Sequence, residues 1–138
     1  MTDNFITLTF KEVTTANQLF CQFDDHNGVL LLDVKKPFTT DDFNTISSII
    51  DPYFAAHGEL KGVILNSKKF PYWISPQNRT QYINFASENH HKFKKAALCM
   101  GGFFIKIVLR IARSRVHPVV KSFKFTQIEK AQDWILYS

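Results

Sequence analysis

Strand-like and helix-like patterns alternate through most of the chain, and this alternation constrains the fold more than any other sequence feature. From Val29 onward, short apolar runs typical of strands are each followed by a segment whose apolar residues recur at the three- and four-residue spacing of helices. The first run, Val29–Val34, opens with consecutive apolar residues, which is typical of a strand covered on both faces. Successive strand-to-helix crossovers predict a parallel sheet with helices packed on it.

Two earlier segments predict an antiparallel hairpin at one edge of this sheet. Phe5–Phe10 and Gln18–Phe23 alternate apolar and polar residues, as half-buried strands do. Asp24–Gly28 is rich in turn formers and joins the second segment to Val29–Val34. The predicted fold class is therefore α/β, with a mixed sheet that starts as a hairpin and continues through β-α crossovers.

Capping signals divide the rest of the chain. Thr39 begins a helix that Gly58 ends, and Pro52 within it predicts a kink or a restart. Thr126 with Glu129 fits a capping box for a closing helix. The predicted elements after the hairpin are a helix from Thr39 to His57, a strand Leu60–Leu65, a helix Ser75–Phe93, a strand Lys95–Met100, an amphipathic helix over 101–115, a strand Lys121–Phe125 and a helix Thr126–Leu136.

Length and composition fit one globular domain over residues 1–138. With 45% apolar and 21% charged residues, the chain is unlike disordered, collagen-like or disulfide-dense proteins. The two cysteines, Cys21 and Cys99, lie in apolar runs and are predicted to be core thiols. The first residues lack a secretory pattern and no apolar run has the length of a membrane span, so the sequence predicts a cytoplasmic protein.

Positive charge is concentrated in the second half of the chain. The net charge is +5, but residues 1–69 carry six Lys/Arg against nine Asp/Glu, whereas residues 70–138 carry eleven against three. A regional surplus of this kind predicts a surface that faces an anionic partner, and a merely solvated face is the alternative.

The segment after Gly101 and Gly102 carries much of this charge. On a helix, its basic residues share one face at i, i+4 and i+7, and apolar residues fill the opposite side. Two interpretations stay open: the helix packs on the sheet, or it docks on a membrane surface or a second copy of the chain while its basic stripe faces anionic groups. The candidate binding residues here are Phe103, Phe104, Lys106, Arg110 and Arg113.

An aromatic loop precedes the second helix. Phe70, Tyr72 and Trp73 follow the strand Leu60–Leu65 closely in the chain. They predict either a lid over an apolar ligand or a cover that seals the end of the core, and we take them as candidate ligand-binding residues.

The order of several motifs resembles that of the SpoIIAA-like family, also described as STAS/SEC14-like. The resemblance covers roughly residues 25 to 137 and is carried by Ile50-Asp51-Pro52-Tyr53, His57-Gly58-Glu59-Leu60-Lys61-Gly62-Val63-Ile64-Leu65, Phe70-Pro71-Tyr72-Trp73, His90-His91-Lys92-Phe93-Lys94-Lys95-Ala96-Ala97, Phe123-Lys124-Phe125, Glu129, Ala131 and Trp134-Ile135. It implies a curved sheet with helices packed outside, similar to STAS domains and to the lipid-binding, CRAL-TRIO-like half of SEC14-like proteins. It implies no enzyme activity.

The resemblance also raises the question of a phosphorylated serine. Some STAS proteins carry one in an Asp-Ser-Ser-Gly-like motif after a central strand, and Ser75 falls near that place. Ile74 and Pro76 flank it where the motif has other residues, so the sequence argues against this modification site.

No pattern for catalysis, metal binding or a cofactor is present. His90 and His91 are adjacent and are predicted to point to different sides of a helix, and the other histidines are isolated in the sequence. No nucleophile elbow occurs, and no RNA- or DNA-binding fold pattern supports nucleic-acid binding. The sequence therefore predicts a non-enzymatic module that binds a lipid-like or anionic ligand or a membrane surface. The alternative is a regulatory protein-interaction domain that forms a homodimer through the 103–115 helix.

Overall fold

The computed structural model describes residues 8–13, 20–36, 38–68, 76–100 and 117–138. Within these residues the chain forms one mixed sheet and three α-helices. The strands are β1 (Lys11–Val13), β2 (Phe20–Asp24), β3 (Val29–Asp33), β4 (Leu60–Ser67), β5 (Phe93–Met100) and β6 (Val119–Phe123). The helices are α1 (Thr40–His57), α2 (Pro76–Asn89) and α3 (Ile128–Tyr137), and a short 3₁₀ turn, His90–Lys92, precedes β5.

The strands lie side by side in chain order, from β1 to β6. β1, β2 and β3 pair antiparallel, while β3, β4, β5 and β6 pair parallel. The parallel register places Leu32 beside Leu65 and Leu65 beside Leu98. The predicted α/β class is confirmed, including the N-terminal hairpin and the crossovers that follow it.

Each face of the sheet carries its own apolar core. On one face Leu30 and Leu32 of β3 pack with Ile46 and Ile50 of α1. On the other face the alternate residues of β3 and Ile64 of β4 pack beneath α3. This division follows from the period-two alternation of side chains along a strand and explains why β3 is apolar at consecutive positions.

A capping box fixes the start of α1. The Thr39 backbone N–H donates to Asp42 Oδ2 (2.7 Å), and the Asp42 backbone N–H donates to Thr39 Oγ1 (3.3 Å). The helix then continues through Pro52 to His57 without a restart, and Gly58 ends it with a positive φ of 80°. Apolar contacts on both sides of Pro52, from Ile50 before it to Tyr53 after it, stabilise the helix against the lost hydrogen bond.

Several predicted boundaries were wrong, including the last strand, which is Val119–Phe123 and not Lys121–Phe125. Residues 8–10 are not part of a strand, because the Thr9 N–H donates to the Asp24 side chain instead of to a strand partner. The second helix ends at Asn89, and Phe93 already belongs to β5. The capping box of Thr126 with Glu129 is absent, because α3 begins after Gln127, whose side-chain Oε1 accepts the Lys124 N–H (3.0 Å). The predicted 101–115 helix lies outside the described residues.

Gly62 allows α3 to approach the sheet. A Cβ at this position would lie 2.9 Å from both Cδ1 and Cγ2 of Ile135, which is itself buried. We expect Gly62→Ala to lower the free energy of unfolding by about 1–3 kcal/mol through overpacking. Chemical denaturation would measure the loss. Because Ile135→Ala removes the opposing atoms, the double variant should lose clearly less than the sum of the two single losses. Strict additivity would show that the two residues do not compete for the same space.

Candidate functional site

The binding residues predicted from the sequence lie outside the described residues. This holds for the aromatic loop, the basic segment and the serine of the STAS comparison: Phe70, Tyr72, Trp73, Ser75, Phe103, Phe104, Lys106, Arg110 and Arg113. The aromatic loop follows β4 in the chain and the basic segment follows β5. These two strands end side by side, because Ser67 of β4 and Met100 of β5 are register partners. Phe70 follows Ser67, and Phe103 follows Met100, by three positions in the chain.

All four parallel strands end at the same edge of the sheet, which we call the carboxyl edge. The helices that follow β3, β4 and β6 in the chain are α1, α2 and α3, so each helix is entered from this edge. Helix N-termini carry unpaired amides and the positive end of the helix dipole. Ligands of open α/β sheets bind outside the carboxyl ends of the strands, and this edge is therefore the candidate site.

Four lysines follow the strands at the carboxyl edge. Lys35 and Lys36 follow β3, Lys68 follows β4 and Lys124 follows β6, and all four are exposed. None of their ammonium groups makes an ion pair with a residue in the described ranges. Lys68 Nζ lies 5.9 Å from the centre of the Phe125 ring, a cation–π distance. We call this set the carboxyl-edge lysines. The basic surplus of residues 70–138 includes Lys124, but sequence reasoning did not group it with Lys35, Lys36 and Lys68.

Three acidic residues near this edge lie in the first turns of helices. Asp41 and Asp42 lie in the first turn of α1, and Glu129 lies in the first turn of α3, where the helix dipole favours negative charge. Asp42 is 2% exposed and its Oδ2 holds the capping box. Within the described ranges, these carboxylates therefore leave the exposed lysine ammonium groups without an acidic partner.

An aromatic cluster packs between α1 and α2. Phe43 lies 4.8 Å from Phe85 and 5.4 Å from Tyr82, measured between ring centres, and Phe38 stacks on Tyr82 at 5.6 Å. The Phe38 backbone N–H donates to the Tyr82 hydroxyl oxygen (2.7 Å). Burial raises the pKa of Tyr82, so its hydroxyl stays protonated in the neutral range. The cluster seals this end of the α1 core.

The two cysteines are free, buried thiols, as predicted. Burial raises the pKa of Cys21 to about 12 and that of Cys99 to about 11. Because the thiolate is the reactive form, neither thiol has the character of a nucleophile at neutral pH.

The opposite edge of the sheet, where the parallel strands begin, gathers histidines that are far apart in the sequence. The His117 backbone N–H donates to His90 Nδ1 (2.9 Å), and His117 Nε2 lies 3.3 Å from Glu59 Oε2. Lys92 Nζ pairs with Asp51 Oδ1 at 2.6 Å beside them. These contacts tie together the starts of β4, β5 and β6. Among the described residues, no group of three or more His, Cys, Asp or Glu side chains is placed to hold a metal ion.

None of the helices in the described part of the chain combines the length and the apolar character that crossing a membrane requires.

Comparisons with known proteins agree with the fold. The SpoIIAA-like family model matches residues 29–136. A similar solved structure is that of an uncharacterized protein from the DUF3478 family with a SpoIIAA-like fold, from Shewanella loihica PV-4. It covers 98% of this chain and 98% of its own chain, with a TM-score of 0.55 and 14% sequence identity, which shows a common fold alone. No curated protein sequence matches the chain. Since the family model spans the whole parallel sheet, α1, α2 and α3 up to its last residue, the chain belongs to the SpoIIAA-like family.

Proposed function

We propose that residues 1–138 form one non-enzymatic, cytoplasmic module that binds anionic amphiphiles at the carboxyl edge of its parallel strands. The observation that carries the proposal is the set of four exposed carboxyl-edge lysines, whose ammonium groups have no acidic partner among the described residues. A lysine near an anionic membrane surface contributes about 1 kcal/mol to binding. Four such side chains on one edge favour an anionic partner over a neutral one.

The order of the chain supports the same edge. The aromatic loop with Phe70 and Trp73 follows β4, and the segment with Lys106 and Arg110 follows β5, so both continue from strands that end there. In the proposal these residues supply apolar contacts and further positive charge. An amphiphile needs both, because its tail is buried against apolar side chains while its head remains with charged groups.

The first test compares vesicles of different charge. We expect the protein to co-sediment with vesicles that contain phosphatidylglycerol and not with vesicles of phosphatidylcholine alone. Replacing Lys35, Lys36, Lys68 and Lys124 together by glutamine should lower the partition coefficient at least about 10-fold, since each lysine contributes about 1 kcal/mol near an anionic surface. Higher salt should weaken binding by the wild type, because exposed charges are screened.

A matched control removes the same charge elsewhere. Lys11, Lys61, Lys94 and Lys121 lie on strands and away from the carboxyl edge, so their replacement by glutamine should change binding much less. If the two variants lost the same amount of vesicle binding, the effect would come from net charge alone, and this result would contradict a site at the carboxyl edge.

A short-chain, soluble phosphatidylglycerol below its micelle concentration distinguishes a single bound amphiphile from a membrane surface. Native mass spectrometry in the absence of detergent would favour the alternative homodimer if it found a lipid-free dimer.

A further inference from the structure

The end of β4 carries a buried polar group that none of the described residues satisfies. Asn66 is 7% exposed, and its backbone C=O accepts the Val34 N–H (2.9 Å). Its side-chain Oδ1 is buried and has no hydrogen-bond partner among the described residues. Leaving such an acceptor unmet costs about 1–3 kcal/mol, and few buried polar groups in native proteins are left so. A hydrogen-bond donor from outside the described residues would remove this cost.

A second acceptor lies beside it. Asp33 of β3 is the register partner of Asn66. Asp33 lies two residues after Leu31, and Asn66 lies two residues after Ile64. Leu31 and Ile64 pack beneath α3, and side chains two positions apart on a strand point to the same face, so Asp33 and Asn66 belong to the α3 face of the sheet. Asp33 is half-buried, and its carboxylate makes no hydrogen bond or ion pair within the described ranges. An ionised carboxylate is an acceptor only, so the pair calls for a donor.

The neighbour of Asn66 on the other side does not provide that donor. Cys99 of β5 is the register partner of Asn66 and is fully buried. Its thiol makes no hydrogen bond to Asn66 Oδ1, although burial keeps it protonated by raising its pKa.

A positive charge follows the same pair closely in the chain. Lys68 is two residues beyond Asn66, directly after the end of β4, and its Nζ lies over the ring of Phe125, which follows β6. A ligand that meets Lys68 through an anionic group would therefore present its neighbouring atoms to Asp33 and Asn66. Hydroxyl groups close to the phosphate of a lipid head group have this arrangement of charge and donors.

We infer that the carboxyl edge selects the head group of its ligand: Asp33 and Asn66 accept hydrogen bonds from a hydroxyl group of an anionic amphiphile whose charge is held by Lys68. The inference rests on the proposed function and adds the ligand's hydroxyl group to it. Hydrogen bonds to Asp33 and Asn66 would distinguish lipids of equal charge, which the lysines alone would bind equally.

Two lipids of equal charge test this selection. Phosphatidylglycerol carries hydroxyl groups beyond its phosphate, whereas phosphatidylmethanol carries none, and each has one negative charge. We expect wild-type protein to bind vesicles with phosphatidylglycerol about fivefold to tenfold more strongly, since a hydrogen bond to a charged or buried acceptor contributes about 1 kcal/mol or more. Asn66→Leu, similar in size, should remove this preference, so that the variant binds the two lipids equally.

A second variant protects the test against a folding defect. Asp33→Ala changes a half-buried residue at the end of β3 and should also remove the preference, and circular dichroism shows whether each variant is folded. Equal binding of the two lipids by the wild type overturns the head-group inference and leaves the proposed function standing. A preference that survives in both variants overturns it as well. Binding of neither lipid above phosphatidylcholine overturns the inference and the proposed function together.

Discussion

Asp24→Ala should lower the free energy of unfolding by about 3–5 kcal/mol, the larger of the two strongest effects that we expect. The Asp24 side chain is fully buried at the end of β2. It accepts hydrogen bonds from the backbone N–H groups of Thr9 (2.7 Å), His26 (2.9 Å) and Asn27 (3.0 Å), and from the Asn27 side-chain amide (3.0 Å). Alanine would leave all of these donors without their acceptor. Urea denaturation followed by circular dichroism would measure the loss.

The neighbouring aspartate is a matched control. Asp25 is exposed, and its contacts with Lys11 and His26 are long, at 3.8 and 3.9 Å. Surface ion pairs of this kind contribute about 0–1 kcal/mol, so Asp25→Ala should have little effect. Similar losses in the two variants would contradict the role assigned to the buried carboxylate.

The same carboxylate makes stability depend on pH. Burial alone would raise the pKa of Asp24, but the hydrogen bonds from Asn27, Thr9 and His26 outweigh it and lower the pKa from its ordinary value of 3.8. The ionised form is therefore favoured in the folded state. The contribution of ionised Asp24 to the free energy of unfolding is complete above the ordinary pKa. It is lost as the pH falls toward the lower pKa of the folded state. In Asp24→Asn, this part of the acid dependence should disappear.

Gly28→Ala should lower the free energy of unfolding by about 2–4 kcal/mol, for two independent reasons. Gly28 has a φ of 67°, in the left-handed region that side chains with a Cβ rarely adopt. A Cβ there would also lie 2.7 Å from the hydroxyl oxygen of Tyr53 and 2.8 Å from its Cζ. The ring of Tyr53 packs edge-on against Phe23 at 5.7 Å, so its displacement would disturb a second contact. Thermal and chemical denaturation would measure the loss.

A double variant separates the two reasons. Tyr53→Ala removes the opposing ring, so Gly28→Ala in that background should retain only the strain of the backbone. We expect the two substitutions to be coupled by about 1 kcal/mol or more, as neighbours that compete for space are. An unchanged effect of Gly28→Ala in the Tyr53→Ala background would assign the whole loss to the backbone.

Local patterns predicted most of the fold because they record which faces are buried. The consecutive apolar residues of β3 and the helical spacing of Ile46 and Ile50 led to the sheet and to α1. Boundaries set by long-range pairing were missed. β6 starts at Val119, before the predicted strand, because its parallel pairing with Lys95 on β5 determines where it begins.

The candidate site was less predictable, because its residues come from separate parts of the chain. Nothing in the local sequence brings Lys35 near Lys68 or Lys124; the common edge of parallel strands does. His90 and His117 likewise meet only through β5 and β6. One signal was available: Asn66 directly follows Leu65, the last apolar residue of β4, and a polar residue near the carboxyl end of a parallel strand is typical of binding sites.

The coincidence of spatial order and chain order in the sheet bears on how the protein reaches its native state. Of the six described strands, each one after β1 pairs with the strand that precedes it, so the sheet can be extended one strand at a time as the polypeptide leaves the ribosome. Among the described strands, none has to be inserted between two that are already paired, so each pairing closes only the connection between two strands that are consecutive in the chain. Until β6 emerges, the free side of β5 remains open to pairing with another nascent chain, and the last stretch of synthesis is therefore the stage most exposed to misassembly.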